Sequence, residues 1–582
     1  MEDFKLNNVI NIKNFFDTFM IPTWNKIFYI ISNDFFLFFV VIFVIFLHML
    51  FFFDKKKEKR YKSMTFFSVF ILSFPILLFV FNHFFYKNFF VSSVVNTSFF
   101  ISFILYGLIR LSYFMRRVYV KTHNPIIIFI TSFIFLSLLG TVLLRLPFST
   151  VKKISFIDAL FTSTSAVCVT GLTVLNTEKD FTYIGKVILL ILIELGGLGI
   201  LTITSFLNYF FQDGFSFKEA KFIGNFLNAQ TTNNVLPFAV KVVLFSLLVE
   251  IIGAIFIFFS IQNGPFQFLK FFDSLFFSVF HSVSAFCNGG FSTLNQGLYS
   301  YSVRFNYFLQ IIISILLILG GLGFHILFNF SLYIWLTLKK YFYKIFKDEH
   351  IRNPVHIVTL NTKIVVFTTF LLLLFGTIFY YFSEYDTSLK EHPSLFGRIV
   401  VSFFSSATSR TAGFHVLNTK LFTPLTISFT IFLMWIGASP ASTGGGIKTS
   451  TFALSLINVF FLSKGINRIE IKKREISSET IQLSFAIIIL SLMVIYISIL
   501  TIIFLDPKKD FLSTIFEVCS AFSTVGLSLG ITPHLSTGSK FVLIFLMLLG
   551  RIGIFNVMIS LLKNNKGHFH HYYKFPKANI II

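Results

Sequence analysis

The chain has 582 residues, 55% of them hydrophobic, with 88 phenylalanines, 13% charged residues and a formal net charge of +23. Its mean hydropathy is +0.81. A soluble fold of this length needs far more polar surface, so the composition points to a polytopic membrane protein with one integrated membrane domain. The positive charge does not argue for nucleic acid. Lys55-Lys56-Lys57-Glu58-Lys59-Arg60, Arg116-Arg117, the stretch from Lys339-Lys340 to Lys347, and Lys472-Lys473-Arg474 lie in loops between apolar spans, the pattern of cytoplasmic loops.

Three apolar spans come first: Phe35 to Phe53, Thr65 to Phe81 and Val94 to Phe114. The first follows Asp34 and precedes a basic run, which fits a retained helix with a cytoplasmic C-terminal end and not a secretory signal of the usual kind. Eight further spans follow in pairs. They are Pro125 to Leu144 with Ile184 to Tyr209, and Phe238 to Ser260 with Tyr307 to Leu338. Then come Lys363 to Phe382 with Leu425 to Leu462, the latter interrupted, and Ile481 to Leu505 with Phe541 to Leu562. Eleven crossings put the N-terminus outside and the C-terminus inside. Each pair encloses a segment too short and too apolar to be an outside domain.

Those enclosed segments share one pattern, centred on Gly171, Gly290, Gly413 and Gly526. Ten residues before each glycine stands Phe161, Phe280, Phe403 or Phe516, and directly after each comes Leu172, Phe291, Phe414 or Leu527. Ser165-Ala166, Ser284-Ala285 and Ser520-Ala521 precede three of the glycines, with Ser406-Ala407 displaced by one residue in the third copy. Ser155-Phe156-Ile157-Asp158 reads as a helix start with an acid at its positive end. Phe161 and Ser165 then share a helical face before Val169-Thr170-Gly171 continues as extended chain. Non-helical backbone at membrane depth survives only when buried in protein or lining a watery cavity. Four such hairpins around one axis would present a ring of backbone carbonyls to a dehydrated monovalent cation. Glycine is required where the carbonyl turns toward the axis, because a side chain would crowd the ring or bar the dihedral.

The expected fold is therefore an all-α polytopic membrane protein. It has four membrane helix–pore hairpin–membrane helix repeats in a pseudo-fourfold arrangement, preceded by three extra helices. The divisions are 1–124 for the extra helices, 125–209 and 235–346 for the first two repeats, 362–463 for the third with an intramembrane loop, and 480–582 for the fourth with a cytoplasmic tail. Three cysteines, Cys168, Cys287 and Cys519, have no metal spacing and an odd count. They read as small residues packed behind tight loops. Gly196-Gly197-Leu198-Gly199 and Gly320-Gly321-Leu322-Gly323 read as packing sites in the second helices that also permit bending. His568, His570 and His571 read as a solvated tail.

The hairpin sequences resemble the Ktr/Trk/HKT superfamily of potassium-translocating subunits. The resemblance rests on Thr164-Ser165-Ala166-Val167-Cys168-Val169-Thr170-Gly171-Leu172, on the run from Phe280 through Asn288-Gly289-Gly290-Phe291, on Ser409-Arg410-Thr411-Ala412-Gly413-Phe414, and on the run from Ser520 through Thr524-Val525-Gly526-Leu527. It extends to Gly437-Ala438-Ser439-Pro440-Ala441-Ser442-Thr443-Gly444-Gly445-Gly446-Ile447-Lys448-Thr449, similar to the family's intramembrane gating loop, and to Gly550-Arg551-Ile552-Gly553. A phosphate-loop reading of the glycine run fails, since the lysine does not follow glycine directly. Departures are Gly289, where the family more often has Ala, Glu194, where it often has Gln, and three leading helices instead of two.

The resemblance implies potassium uptake across the cell (inner) membrane through a channel-like pore. Potassium is the substrate, sodium is a second candidate ion, and no organic cofactor is implied. The filter would comprise Val169, Thr170, Gly171, Asn288, Gly289, Gly290, Thr411, Ala412, Gly413, Thr524, Val525 and Gly526, with potassium held by the carbonyls of the four glycines. Glycine at all four positions is the potassium-type pattern; serine in the first repeat is associated with sodium preference in related plant proteins. The gate would comprise Gly444, Gly445, Gly446, Lys448 and Arg551. Lys448 either reaches the ion path, anchors the loop or snorkels to the interface; Arg410 is expected to anchor filter carbonyls. Glu194 is either a cation attractor or a paired acid. The implied partners are a second copy of the chain and a cytosolic nucleotide-binding regulatory subunit of the KtrA/TrkA kind. The competing readings are a sodium-permeable or sodium-coupled cation symporter, an unrelated secondary transporter with broken helices, and a polytopic membrane enzyme.

Overall fold

The computed structural model describes residues 125–199, 202, 235–262, 271–346, 358–440, 442–466, 468–471, 474–554 and 558. The three leading spans, most of the basic loops and the histidine-containing tail lie outside these residues.

The described chain is helical apart from a two-stranded hairpin, β1 (Glu470–Ile471) with β2 (Arg474–Glu475). The helices are α1 (Pro125–Leu144), α2 (Phe156–Val167), α3 (Tyr183–Leu198), α4 (Val235–Gln262), α5 (Phe271–Phe286), the single turn α6 (Tyr301–Arg304), α7 (Tyr307–Leu322) and α8 (Phe324–Phe346). Then come α9 (Leu360–Ser383), α10 (Leu395–Thr411), α11 (Pro424–Trp435), α12 (Thr449–Ser463), α13 (Ser478–Leu505), α14 (Phe511–Phe522) and α15 (Thr537–Ile552). The order long helix, short helix, second helix occurs four times.

Polar caps set the starts. Ser155, Thr182, Asn306, Ser394, Asp510 and Ser536 each accept a bond from a backbone N–H of the first turn of the helix they precede, satisfying donors that the helix leaves orphaned. Pro424 stands in the first turn of α11, where its missing N–H costs nothing. The long helices α4, α9 and α13 are each apolar and long enough to cross a membrane, over Phe238–Gln262, Leu360–Ser383 and Ser478–Leu505.

The second helices differ from expectation. The span expected from Tyr307 to Leu338 is two helices, α7 and α8, bent by 106°. The break is at Gly323, whose φ is +83°, a conformation that side chains resist. Helix α3 likewise stops before Gly199 and α15 before Gly553, with φ of +79° and +88°. Each of these three second helices is 16 residues long, about 24 Å at 1.5 Å per residue. None crosses about 30 Å of hydrocarbon in one straight piece. The interruption expected in the third set is real: α11 ends at Trp435 and α12 begins at Thr449.

Two large apolar cores, with a smaller third around Leu198, Val242 and Phe286, hold the sets together. One joins Phe133, Phe161 and Leu192 to Val518, Leu543 and Met547, so the first and last sets share it. The other joins Phe277 and Leu317 to Phe404, Met434 and Phe516. An ion pair reinforces each seam: Lys540 Nζ to Asp158 Oδ1 at 2.8 Å in the first, and Arg304 to Glu391 in the second.

Candidate ion-binding hairpins and the loop beneath them

Each short helix seats one phenylalanine in the core. Phe161, Phe280, Phe404 and Phe516 are fully buried. In the third set this corrects the expectation from sequence, because Phe403 is only half-buried. Ser406 holds the place of Ser163 and Ser282: all three hydroxyls donate to a carbonyl of the preceding long helix, at Leu373, Ser137 and Glu250. Thr408 therefore corresponds to Ser165, Ser284 and Ser520. The third hairpin has one residue fewer between this hydroxyl and its glycine, and α10 runs on to Thr411, two residues before Gly413.

The hydroxyls brace the extended chain. Ser165 Oγ accepts from Gly171 N at 3.1 Å and Ser520 Oγ from Gly526 N at 3.0 Å. Ser284 Oγ donates to Phe291 O at 2.9 Å and Thr408 Oγ1 to Phe414 O at 2.7 Å. Val169, Asn288 and Thr524 have positive φ, at 55°, 61° and 51°. Such backbone strain costs about 1–3 kcal/mol and persists where the surroundings over-determine it. The shorter third hairpin has no such residue.

The four glycines meet one another in cyclic order. A Cβ added to Gly171 would lie 2.8 Å from Gly289 O, one on Gly290 2.3 Å from Ala412 O, one on Gly413 2.3 Å from Val525 O, and one on Gly526 2.0 Å from Thr170 O. Their φ values are +89°, +68°, +73° and +89°. Glycine is thus required twice over, for conformation and for space. A mouth on one side of them is lined by all four glycines with Asn176, Asn295, His415 and Lys420.

In three hairpins the side chain two residues before the glycine, Asn288, Thr411 or Thr524, faces the loop between α11 and α12. The Asn288 amide lies 2.7 Å from Thr443 Oγ1 and 3.2 Å from Thr411 Oγ1. Thr524 Oγ1 accepts from Gly445 N at 2.9 Å. The loop, Ile436 to Lys448, is non-helical and closed on itself by a parallel bridge between Ile436 and Ile447. Its glycines are needed for close approach: a Cβ on Gly445 would lie 2.4 Å from Thr524 Oγ1, and one on Gly444 2.9 Å from Thr411 Cγ2. Ser439 N donates to Gly321 O at 3.1 Å and Thr443 N to Gly320 O at 3.3 Å.

Three cations hold this loop. Arg551 donates to Thr443 O and, on α3, to the carbonyls of Gly196 and Gly197. Lys448 Nζ donates to Gly444 O at 2.8 Å, within the loop. Arg410 corrects the expectation from sequence: its Nη2 donates to Gly437 O at 3.3 Å, a loop carbonyl and not one of the hairpin tips.

The packing role expected for the paired glycines is seen. Cβ atoms on Gly196 and Gly320 would lie 2.0 and 1.9 Å from Val167 O and Phe286 O, the last carbonyls of α2 and α5. Gly550 stands in the same relation to Phe522 O, at 1.7 Å. Glu194 faces a thiol and a second acid. Its Oε2 lies 3.4 Å from Cys287 Sγ, which is 3.9 Å from Glu250 Oε1. Glu250 was missed in the sequence; the signal was a lone carboxylate inside the apolar run from Phe238 to Ser260.

Apolar helices wrapped around converging glycine hairpins define a helical membrane protein, and comparison with known proteins gives its class. The family model TrkH, described as a cation transport protein, matches residues 91–572. The chain belongs to this family of cation transport proteins. It is 34% identical over 475 residues to the potassium/sodium uptake protein NtpJ of Enterococcus hirae, covering 80% of this chain and 99% of that one. Identity is also 34% over 444 residues with the Ktr system potassium uptake protein B of Vibrio alginolyticus, covering 75% of this chain and 91% of that one. The fold matches the crystal structure of the potassium transporter TrkH from Vibrio parahaemolyticus. The TM-score is 0.61 at 20% identity, with 86% of this chain and 96% of that chain covered.

Proposed function

We propose that the chain takes up potassium across the cell membrane through a pore whose filter is the set of four glycine hairpins in pseudo-fourfold arrangement. The observation that carries this reading is the cyclic contact of Gly171, Gly290, Gly413 and Gly526, each against the carbonyl before the next glycine. Carbonyls so arranged replace a hydration shell without supplying fixed charge, which suits a weakly hydrated monovalent cation that must also leave. Val169, Thr170, Asn288, Gly289, Thr411, Ala412, Thr524 and Val525 support the ring. Their unlike side chains and the shorter third hairpin favour one dominant ion site over several equivalent ones. The four sets of helices are the four repeats of the domain division given above. The relatives named for potassium or potassium/sodium uptake support the choice of ion.

The loop from Ile436 to Lys448, on the cytoplasmic side of the ring, is the gate, and Arg551 is its latch. A gate needs a source of differential binding energy. The cytosolic nucleotide-binding subunit and the homodimer implied by the family are the proposed source, with the basic inner loops as the docking surface. Sodium permeation or coupling is the second reading, favoured by the relative named for both ions.

The test is uptake of radioactive rubidium in a host lacking its own potassium uptake, with sodium as competitor. Wild-type chain restores uptake that sodium competes with weakly. Gly290→Ser lowers the preference for rubidium over sodium without loss of the protein from the membrane. Unchanged selectivity in Gly290→Ser overturns the filter.

A further inference from the structure

Two carboxylates and a thiol meet behind the second hairpin, and among the described residues no ion pair reaches either carboxylate. Glu194 comes from α3, Glu250 from α4, and Cys287 from the turn after α5. One ligand atom from each lies within 4.8 Å of the others. Glu250 is 5% exposed, and its carboxylate has no hydrogen-bond partner outside the cluster among the described residues. The groove on its other side, lined by Ile251, Ala254, Ile255, Phe258 and Val283, offers no polar group. Glu194 Oε1 is buried and also lacks a partner among the described residues. Two carboxylates in a low-dielectric interior cannot both stay ionised without a bound cation or proton.

We propose that Glu194, Glu250 and Cys287 form a binding site for a thiophilic divalent cation of the zinc type, separate from the ion path. The geometry fits. Bonds of about 2.3 Å to sulfur and 2.0 Å to oxygen at a tetrahedral angle give sulfur–oxygen separations of about 3.5 Å, and the two observed are 3.4 and 3.9 Å. On binding, the Cys287 thiol gives its proton to solvent, and the thiolate and two carboxylates share the ion. The Arg551 guanidinium, bonded to the carbonyl of Gly197 against which Cys287 Sγ packs, would offset the remaining negative charge from nearby. The consequence is mechanical. Cys287 Sγ already sits where a Cβ on Gly197 would be, 2.4 Å away. A bound ion would therefore staple α3 and α4 to the chain three residues before Gly290 and slow flux.

The test is titration of the purified full-length chain with cadmium, read by the cadmium–thiolate ultraviolet band, with rubidium flux in liposomes followed in parallel. One equivalent per chain is expected, with flux falling as the band grows. Cys287→Ser should abolish the band. Glu250→Gln and Glu194→Gln should each weaken binding at least about tenfold, the loss that even outer partners of a metal site cause. Replacing Cys168 and Cys519 together by serine should leave the band intact. If Cys287→Ser does not fold, the two glutamine variants carry the test alone. A band that grows at the same cadmium concentration in the glutamine variants as in the unaltered chain, or no band at all, overturns the site. So does a protonated-carboxyl infrared signal that Glu250→Gln removes and cadmium does not, because the pair would then be held by a proton.

Discussion

The third hairpin and the other three solve the same problem with different chain lengths. In the first, second and fourth, the short helix ends four residues before the glycine, and a strained residue at positive φ turns the chain. In the third, α10 continues to Thr411 and needs no such turn. The third set also carries the long break between α11 and α12, where the other second helices end at one glycine, Gly199, Gly323 or Gly553. The hairpin that gives up its strained turn is the one whose Thr411 packs on the loop glycine Gly444 and whose Arg410 bonds the loop at Gly437. The second and fourth hairpins also touch the loop, through Asn288 and Thr524, so we read the difference as one of turning: three hairpins turn on a strained residue, and the third turns on a longer helix that adds the Arg410 bond to the loop.

The sharpest way to break this comparison is at the ring itself. Gly526→Ala puts a Cβ 2.0 Å from Thr170 O at a φ of +89°. Backbone strain alone adds about 1–3 kcal/mol, and the clash adds to it. Rubidium uptake should fall to background while the protein stays in the membrane; normal uptake would sink the ring. Next in size is deletion of Gly444 to Gly446, which should raise flux by removing the obstruction. Arg551→Ala should act in the same direction by freeing Thr443 O and the α3 carbonyls. Lowered flux in both well-expressed variants would mean that the loop braces the ring and does not gate it.

A smaller effect separates the hairpins from one another. Thr408→Ala and Ser165→Ala each remove one buried hydrogen bond, worth about 1 kcal/mol. Thr408→Ala should cost more selectivity, because the third hairpin's Gly413 N reaches only Thr408 O at 3.5 Å and has no side-chain acceptor among the described residues. Equal losses in rubidium-over-sodium preference would erase the distinction.

The smallest effect concerns the loop before α10. Burial, with Arg304 and Arg398 nearby, pushes His392 down to about 4 from 6.5. His392 is therefore neutral in the folded protein, while the unfolded chain takes up a proton as pH falls through 6.5. Stability is fully present above that value and declines toward pH 4. Thermal unfolding in detergent should show this decline, and His392→Gln should flatten it.

Much of this was legible in the sequence because the rules involved are local. The cap at Ser155, the four glycines and the interruption after Leu425 all follow from backbone chemistry that a motif reports. The register of the third copy was not legible. Phe403 and Phe404 are both phenylalanine, and only packing decides which is buried. The break of the second helices was hidden by their hydropathy, although Gly196–Gly199, Gly320–Gly323 and Gly550–Gly553 share one spacing that marks it. In that register Arg551 stands where Gly197 and Gly321 stand, so its reach to the loop and to α3 depends on neighbours far away in sequence. The pairing of Glu194 with Glu250 had no sequence signal beyond each acid's burial in an apolar run.

The central claim is that the carbonyls of the four glycines hold the transported ion. Its most direct measurement is the position of rubidium, by anomalous scattering, in crystals of the full chain. The account predicts a dominant peak on the common axis of Gly171, Gly290, Gly413 and Gly526, within contact of their carbonyl oxygens and absent in Gly526→Ala. A rubidium peak elsewhere in a chain that takes up rubidium, or none on that axis, would contradict it.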